Sequence, residues 1–275
     1  MANESRIAQR AKQMLRTTLT RQGLELRRLP LSPDPSPPDA STPDPPASDP
    51  AVPPAIADQM TAYFAQAAVI EARHHAQTHD TVASLQRKYE APVFGDVRVW
   101  ELVEMLAQCI DPSDGRLFGA SQLFHVLQML EGMERDGITD PDMLLAALVH
   151  DLGKVLLLTG EDPAYVVCMS EPVGAHEPGV GLDNVTMQWN HDLFGSTRLA
   201  DHVPDHIAWL VRYHSIVFGS CEPLMDERDR DYFERYLRPF SYYDHETKTP
   251  FRLPARRIAD YRDLVEEAFP KPIRF

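Results

Sequence analysis

Two adjacent metal-ligand residues, His150 and Asp151, lie within an apolar stretch that reads DMLLAALVHDLGKVLLL. Four more side chains of the same kind occur at wide spacings along the chain: His125, His191, His214 and Asp244. Imidazole nitrogens and carboxylate oxygens together suit iron, manganese or zinc. Burying such groups side by side costs free energy unless a cation neutralises them. The sequence therefore predicts a buried metal site, and the number of candidate ligands indicates more than one ion.

Helices are the elements that must position these side chains. Stretches with few helix breakers predict helices near residues 56–90, 97–109, 121–135, 141–151, 153–159, 183–200, 204–217, 227–239 and 255–268. Residues 160–182 are rich in glycine and proline, which predicts a loop. Alternation of apolar and polar residues is scarce, so we predict an all-α fold with at most a short β-hairpin. Ligands that project inward from several helices build buried metal sites in helical bundles.

The composition limits the classes of function. The chain has 275 residues, of which 43% are hydrophobic, enough for one large domain or two small ones. A formal charge of −14 argues against a general nucleic-acid surface. Three cysteines without a CxxC motif suit a reducing compartment. No apolar run reaches the roughly 20 residues that span a bilayer, and the start lacks the apolar region of a secretory signal. We therefore expect a cytoplasmic protein without a transmembrane segment.

Two segments at the start of the chain differ from the rest. Residues 1–29 carry seven basic and two acidic residues, with apolar side chains on one helical face. This pattern predicts a basic amphipathic helix, either weakly docked or in contact with an anionic membrane or a partner. Residues 30–55 are predicted to be an extended, mobile linker, because eleven of the 25 residues from Pro30 to Pro54 are proline. The folded domain is predicted at residues 56–275.

Other histidines compete for the role of ligand. A lone histidine on an apolar helix, such as His125, is more often a core residue than a ligand. His206 lies in the same predicted helix as His214, on roughly the same face, and is an alternative to it. His176 lies in the predicted loop, where it could touch a substrate. Three histidines on a polar helical stretch are expected to face solvent: His74, His75 and His79.

The order of a single histidine, an HD pair and a later aspartate resembles the HD-domain superfamily of metal-dependent proteins. HD dipeptides are common, and a second one occurs at His191–Asp192. A longer and more specific match resembles the myo-inositol oxygenase family in order and spacing. Its segments read THDTVASLQRKYE, LFHVLQMLEGM, LVHDLGKVLLLTGEDPAYVV, EPVGA, GLDNVTMQWNHDLF, VRYHS and FSYYDHETK. The resemblance covers about residues 75–270 and leaves the basic helix and the proline-rich linker outside it.

The resemblance implies an HD-domain helical bundle with a dinuclear, mixed-valent Fe(II)/Fe(III) site and O₂ as co-substrate. It carries six metal ligands over to this chain: His125, His150, Asp151, His191, His214 and Asp244. Asp151 would bridge the two irons. In that family one iron takes the first histidine, the HD histidine and the last aspartate, and the other iron takes the two later histidines. The implied reaction is the four-electron oxidative cleavage of myo-inositol to D-glucuronate.

The resemblance also implies contacts to the substrate. Lys154, one turn after the HD pair, matches a lysine that contacts a substrate oxygen, where a cation would favour the alkoxide. The alternative role for Lys154 is a favourable charge at a helix C-terminus. Four other positions match substrate contacts of the family: Asp111, Asp114, Ser215 and Lys248.

Two departures from the family concern the substrate. The family has a Gly-Asp pair that meets the polyol, and the aligned residues here are Cys168–Met169. This exchange removes a carboxylate acceptor and adds apolar bulk. The arginine segment that closes over the substrate in the family has no clear counterpart here. We therefore keep two interpretations, a cyclitol such as myo-inositol or a less polar substrate in a specialised pathway.

Two other classes of function compete with the oxygenase. An HD-type phosphohydrolase would act on a nucleotide or another phosphoester. The two extra histidines at family spacing argue against it, as does the lack of an evident arginine cluster for phosphate. A degenerate, non-catalytic binding module is disfavoured because all six ligands are present. The sequence therefore favours the di-iron oxygenase.

Overall fold

The computed structural model describes residues 54–275, with side chains from residue 59 onward. Residues Gln66–Phe275 form one compact unit. The basic helix predicted at residues 1–29 lies outside the described residues. The linker predicted at residues 30–55 also lies outside them, except for its last two residues, which are helical.

Helices dominate the described residues and confirm the predicted all-α class. Helices α1 to α5 are Pro54–His75, His79–Lys88, Val99–Met105, Gln122–Arg135 and Pro141–Val149. Helices α6 to α11 are His191–Leu199, Asp205–Tyr213, Phe218–Cys221, Glu227–Tyr232, Arg238–Glu246 and Arg262–Ala268. A 3₁₀ segment, Leu152–Thr159, follows α5, and a π-helical turn, Phe233–Leu237, joins α9 to α10.

The described residues contain one sheet, of two short strands. Strand β1, Asp96–Val97, pairs antiparallel with β2, Ile273–Arg274, so that the first residue of β1 faces the last residue of β2. Beyond β2, the amide of Phe275 donates to the Gly95 carbonyl at 3.0 Å. The ring of Phe275 is fully buried, with its centroid 5.2 Å from that of Phe194. The sheet therefore anchors the end of the chain in the helical core.

Capping residues define where the ligand-bearing helices begin. Ser121, Asp140 and Asn190 directly precede α4, α5 and α6, and each side chain accepts a hydrogen bond from a backbone N–H of the first turn. Short polar side chains stabilise helix starts because they satisfy these otherwise unpaired donors. The caps therefore set the position of the first turn of each of these helices.

Two ligand-bearing helices end earlier than the sequence predicts. Helix α5 ends at Val149, so His150 and Asp151 lie at the junction with the 3₁₀ segment and not within the helix predicted at residues 141–151. Helix α7 ends at Tyr213, directly before His214. Helix ends are the least certain part of a sequence-based assignment because the last turns are not specified by apolar periodicity. Because these two helices end early, the candidate ligands His150, Asp151 and His214 lie just beyond helix termini.

Helix α5 runs through the hydrophobic core. Its residues from Leu145 to Val149 are at most 5% exposed. A helix that is apolar on all sides is stable only when neighbours cover each side. Helices α4, α7 and α11 pack against it. Because α5 is buried, the His150–Asp151 pair at its end lies in the interior of the domain.

A close backbone approach joins the 3₁₀ segment to α6. A Cβ atom added at Gly153 would lie 2.1 Å from the carbonyl oxygen of His191. The neighbouring glycine of α6, Gly195, lies against the backbone of Gly153. Only residues without a side chain permit this contact, which sets the spacing between Asp151 and His191.

We expect Gly153→Ala to destabilise the fold because backbone atoms must move apart to admit the methyl group. Overpacking of this kind costs about 3 kcal/mol or more, which corresponds to a fall of roughly 6 °C or more in Tm. The matched control is Gly219→Ala, because a Cβ there meets nothing within 4 Å. Thermal unfolding of both variants checks the prediction, and equal Tm values would contradict it.

Candidate metal centre

The structure brings all six candidate ligands together in the interior. They come from α4, from the ends of α5 and α7, from the first residue of α6 and from α10. Each is at most 4% exposed: His125, His150, Asp151, His191, His214 and Asp244. Burial of four imidazoles with two carboxylates is costly unless they are neutralised together.

The ligand atoms form two groups that share Asp151. His125, His150 and Asp151 make one group, and Asp151, His191 and His214 make the other, with the ligand atoms of each group within 4.8 Å of one another. The Oδ2 atom of Asp151 lies 3.3 Å from His150 Nε2, whereas its Oδ1 atom lies 3.0 Å from His191 Nε2. The two oxygens of one carboxylate therefore face different histidine groups, as a bridging ligand requires.

Asp244 lies beside the first group. Its Oδ1 atom lies 2.9 Å from His125 Nε2 and 4.0 Å from His150 Nε2. Despite this proximity, His125 Nε2 and His150 Nε2 are buried without a hydrogen-bond partner among the described residues. Nitrogens that are close to carboxylates but not aligned for hydrogen bonds fit a cation between them.

Backbone carbonyls orient three of the four imidazoles. The Nδ1 atoms of His150 and His214 lie 2.9 Å from carbonyl oxygens three residues earlier, and that of His191 lies 2.5 Å from Val166 O. These contacts place the proton on Nδ1, which donates, and leave Nε2 as the free electron-pair donor. Such outer contacts commonly fix the tautomer of metal-binding histidines. The residues therefore fit a resident metal.

Two buried lysines neutralise the carboxylates around the centre. Lys154 Nζ lies 3.1 Å from Asp151 Oδ2 and 3.4 Å from Asp111 Oδ2. Lys248 Nζ lies 3.1 Å from Asp244 Oδ1 and 3.2 Å from Asp114 Oδ2. Burial alone would lower the pKa of both lysines, but the paired carboxylates raise it above the ordinary value. Both side chains are therefore ammonium ions beside the ligands.

A further carboxylate, Asp192, belongs to the centre and was missed as a site residue in the sequence. It is fully buried, and its Oδ1 atom lies 3.0 Å from His191 Nε2 and 3.5 Å from His214 Nε2. Ser215 Oγ donates to its Oδ2 atom at 2.6 Å. In the sequence, the second HD dipeptide, His191–Asp192, was the feature that could have identified Asp192 as a candidate site residue.

Cys168 and Met169, the two residues that differ from the family pattern, differ in their exposure to solvent. Cys168 is 5% exposed, and burial raises the pKa of its thiol to about 12. Met169 is 44% exposed. The carbonyl of Cys168 accepts from Asn190 Nδ2 at 3.0 Å, which ties this pair to the cap of α6. Met169 is thus the more accessible of the two side chains.

The competing histidines lie elsewhere. His206 Nε2 contacts Asp142 Oδ2 at 2.8 Å and stacks on Tyr236, outside the two ligand groups. The prediction that His74 faces solvent is wrong. Its side chain is fully buried and Nδ1 lies 2.8 Å from Ala164 O, because the last turn of α1 packs on the loop before α6. His75 and His79 are exposed, as predicted. His176, from the predicted loop, is half-buried, with Nε2 3.0 Å from Val173 O.

Comparison with known families agrees with this geometry. The sequence profile described as myo-inositol oxygenase matches residues 66–175 and 166–275, which together cover the described helical unit. The chain belongs to the myo-inositol oxygenase family. It is therefore a member of an oxygenase family, as the sequence motifs predicted.

Relatives in plants and mammals share this family. A probable inositol oxygenase of Oryza sativa subsp. japonica is 30% identical over 243 residues, covering 74% of this chain and 78% of the relative. Inositol oxygenase 2 of Arabidopsis thaliana is 28% identical, covering 74% and 76%. Inositol oxygenase of Rattus norvegicus is 28% identical over 235 residues, covering 70% and 81%. Within residues 54–275, no helix combines the length and apolar character that crossing a bilayer requires.

Proposed function

We propose that this chain is a dinuclear iron oxygenase that uses O₂ to cleave a cyclitol, converting myo-inositol to D-glucuronate. The observation that carries the proposal is the pair of buried ligand groups that share the carboxylate of Asp151. Membership of the myo-inositol oxygenase family supports it. The overall reaction balances as one myo-inositol and one O₂ giving one D-glucuronate, one proton and one water.

The proposed ligand assignment follows the two groups. His125, His150 and Asp244 would hold one ion, His191 and His214 would hold the other, and Asp151 would bridge them. A mixed imidazole and carboxylate set suits iron, and a cation would satisfy the buried Nε2 atoms of His125 and His150. When bound, the iron pair would supply the redox equivalents for reaction with O₂ and would acidify a coordinated hydroxyl.

The charged side chains around the centre would bind and orient the substrate. Lys154, which bears a positive charge, would stabilise negative charge on a substrate oxygen. Lys248 and the carboxylates of Asp111 and Asp114 would contact other ring hydroxyls. The Oδ1 atom of Asp111 accepts from Ser113 N at 2.8 Å and from Ser113 Oγ at 2.7 Å, which holds that carboxylate in place. A site lined by fixed charges is suited to a polyhydroxy ligand.

Oxygen uptake tests the proposed function. Protein loaded with Fe(II) and partially oxidised is mixed with myo-inositol, and O₂ consumption and glucuronate formation are measured together. We expect equal amounts of O₂ consumed and glucuronate formed. Release of phosphate from nucleotides without a need for O₂ would replace the proposal with an HD-type phosphohydrolase.

A second candidate keeps the same chemistry but takes a less polar substrate. The accessible thioether of Met169 at the position of a family carboxylate favours it. Under this alternative the iron-loaded protein would show the magnetic signal of a coupled Fe(II)/Fe(III) pair without turnover of myo-inositol. Screening O₂ uptake across cyclitols and their deoxy analogues distinguishes the two substrates.

We expect Met169→Asp to strengthen the binding of myo-inositol. The new carboxylate would accept a hydrogen bond from a ring hydroxyl, and a charged hydrogen bond is worth about 1.5 kcal/mol, or roughly a tenfold lower Kd. Leu253→Asp is the matched control, because Leu253 is an exposed apolar residue at 82% exposure and lies outside both ligand groups. Equilibrium dialysis with labelled inositol measures both, and an unchanged or higher Kd for Met169→Asp would contradict the pocket assignment.

A further inference from the structure

The cap of α6 fixes the orientation of the Asn190 amide. Asn190 Oδ1 accepts from the backbone N–H of Asp192 at 3.1 Å and from that of Leu193 at 3.4 Å. Because backbone N–H groups only donate, this atom is the carbonyl oxygen and the other is the NH₂ group. Asn190 Nδ2 therefore donates to its two neighbours, Cys168 O at 3.0 Å and Ser215 Oγ at 3.1 Å.

The orientation of Asn190 then fixes the proton of Ser215. Ser215 Oγ accepts from Asn190 Nδ2 and has one proton of its own to donate. Asp192 Oδ2 lies 2.6 Å away and, as a carboxylate oxygen, can only accept. The same oxygen also accepts from the amide of Ser215 at 3.3 Å. The serine proton is thus committed to Asp192, and the hydroxyl keeps one free lone pair.

We propose that Asp192 and Asn190 hold Ser215 as an obligate hydrogen-bond acceptor, which makes the second histidine group selective for a hydroxyl over a carbonyl. The inference deepens the proposed function, because it takes Ser215 as a substrate contact. Asp192 is here a positioning residue that acts through the serine.

A hydroxyl placed beside this serine can donate its proton to the free lone pair of Ser215 Oγ. A carbonyl or ether oxygen has no proton to donate and meets that electron pair instead. The other oxygen of Asp192, Oδ1, lies 3.0 Å from His191 Nε2 and 3.5 Å from His214 Nε2, the same distances as Oδ1 of Asp151, and so faces the second ligand group.

Binding measured without O₂ tests the inference. The probes are myo-inositol and its mono-ketone analogues, in each of which one ring hydroxyl is a carbonyl. Calorimetry on the iron-loaded full chain gives their Kd values, and metal analysis confirms equal iron in every variant. We expect one ring position at which a carbonyl raises the Kd of the wild type about tenfold or more. Ser215→Ala should remove most of this preference, and Ser215→Thr, which retains the hydroxyl, should restore it.

A double-mutant cycle separates a positioning role from a general structural one. Asp192→Asn can donate to Ser215 Oγ, which frees the serine proton to turn toward the ligand, so the hydroxyl preference should fall about tenfold. In the Ser215→Ala background the same change should alter the preference little. An equal loss in both backgrounds would overturn the inference, because Asp192 would then not act through the serine.

Asn190→Asp provides a second route if Asp192→Asn loses iron. It keeps the capping acceptor of α6 and replaces the donor to Ser215 by a carboxylate oxygen, which can only accept, so the serine proton stays committed and the hydroxyl preference should persist. Loss of the preference would overturn the inference. Equal binding of inositol and all ketones by the wild type would also overturn it while leaving the proposed function standing. Failure of the wild type to bind any cyclitol would overturn the proposed function as well.

Discussion

Asp151→Ala is expected to abolish the binding of both metal ions. The two oxygens of this carboxylate face different histidine groups, at 3.3 Å from His150 Nε2 and 3.0 Å from His191 Nε2. Its removal takes one ligand from each ion and the only negative charge that both groups share. The iron content should fall from about two ions per chain to near zero. Oxygenase turnover should fall below detection with it.

Metal analysis after desalting measures this effect, and two variants serve as controls. His214→Ala removes a ligand from the second group only and should leave about one iron per chain. His206→Ala removes a half-buried histidine that is bound to Asp142, outside the centre, and should retain both ions. Retention of two irons by Asp151→Ala would contradict the bridging assignment.

Lys154→Met is expected to lower turnover about 100-fold or more while both irons stay bound. Removing one charged group that stabilises developing negative charge costs a factor on the order of 10²–10³ in kcat. Lys154 Nζ lies 3.1 Å from the bridging carboxylate and 3.1 Å from Gln122 Oε1, so its position is fixed on two sides. Methionine keeps the length of the side chain and removes the charge.

Steady-state kinetics together with metal analysis test this prediction. Lys88→Met is the matched control, since that lysine pairs with Glu161 at the surface and should tolerate the change. Loss of iron from Lys154→Met would assign the lysine a purely structural role. Unchanged turnover with full iron content would contradict its contact with the substrate.

The candidate ligands could be chosen from the sequence because their residue types and their order along the chain are specific. His150 and Asp151 stand together after an apolar helix, and the wide spacings place the other candidates on separate helices. Apolar periodicity marks helices well, so the all-α class also followed. The sequence left open whether His206 or His214 is the candidate ligand. The structure favours His214, because it directly follows the last residue of α7 and meets Asp151 there.

Other features depend on tertiary packing that no local pattern encodes. His74 occupies a polar stretch but is buried, because the last turn of α1 meets a loop residue, Ala164, ninety residues later in the chain. Asp192 becomes part of the centre only when α6 starts at its Asn190 cap and the end of α7 brings Ser215 to it. The tight contact of Gly153 with His191 likewise arises because two segments that are distant in the sequence lie side by side in the fold. The periodicity of apolar residues in the sequence does not reveal long-range contacts of this kind.

Anomalous diffraction at the iron edge, from crystals of the iron-loaded protein, tests the dinuclear centre directly. We expect two peaks. One should lie among His125, His150 and Asp244 and the other between His191 and His214, with Asp151 touching both. A single peak, or a second group whose imidazoles turn away from the metal, would contradict the dinuclear centre on which the proposed oxygenase rests.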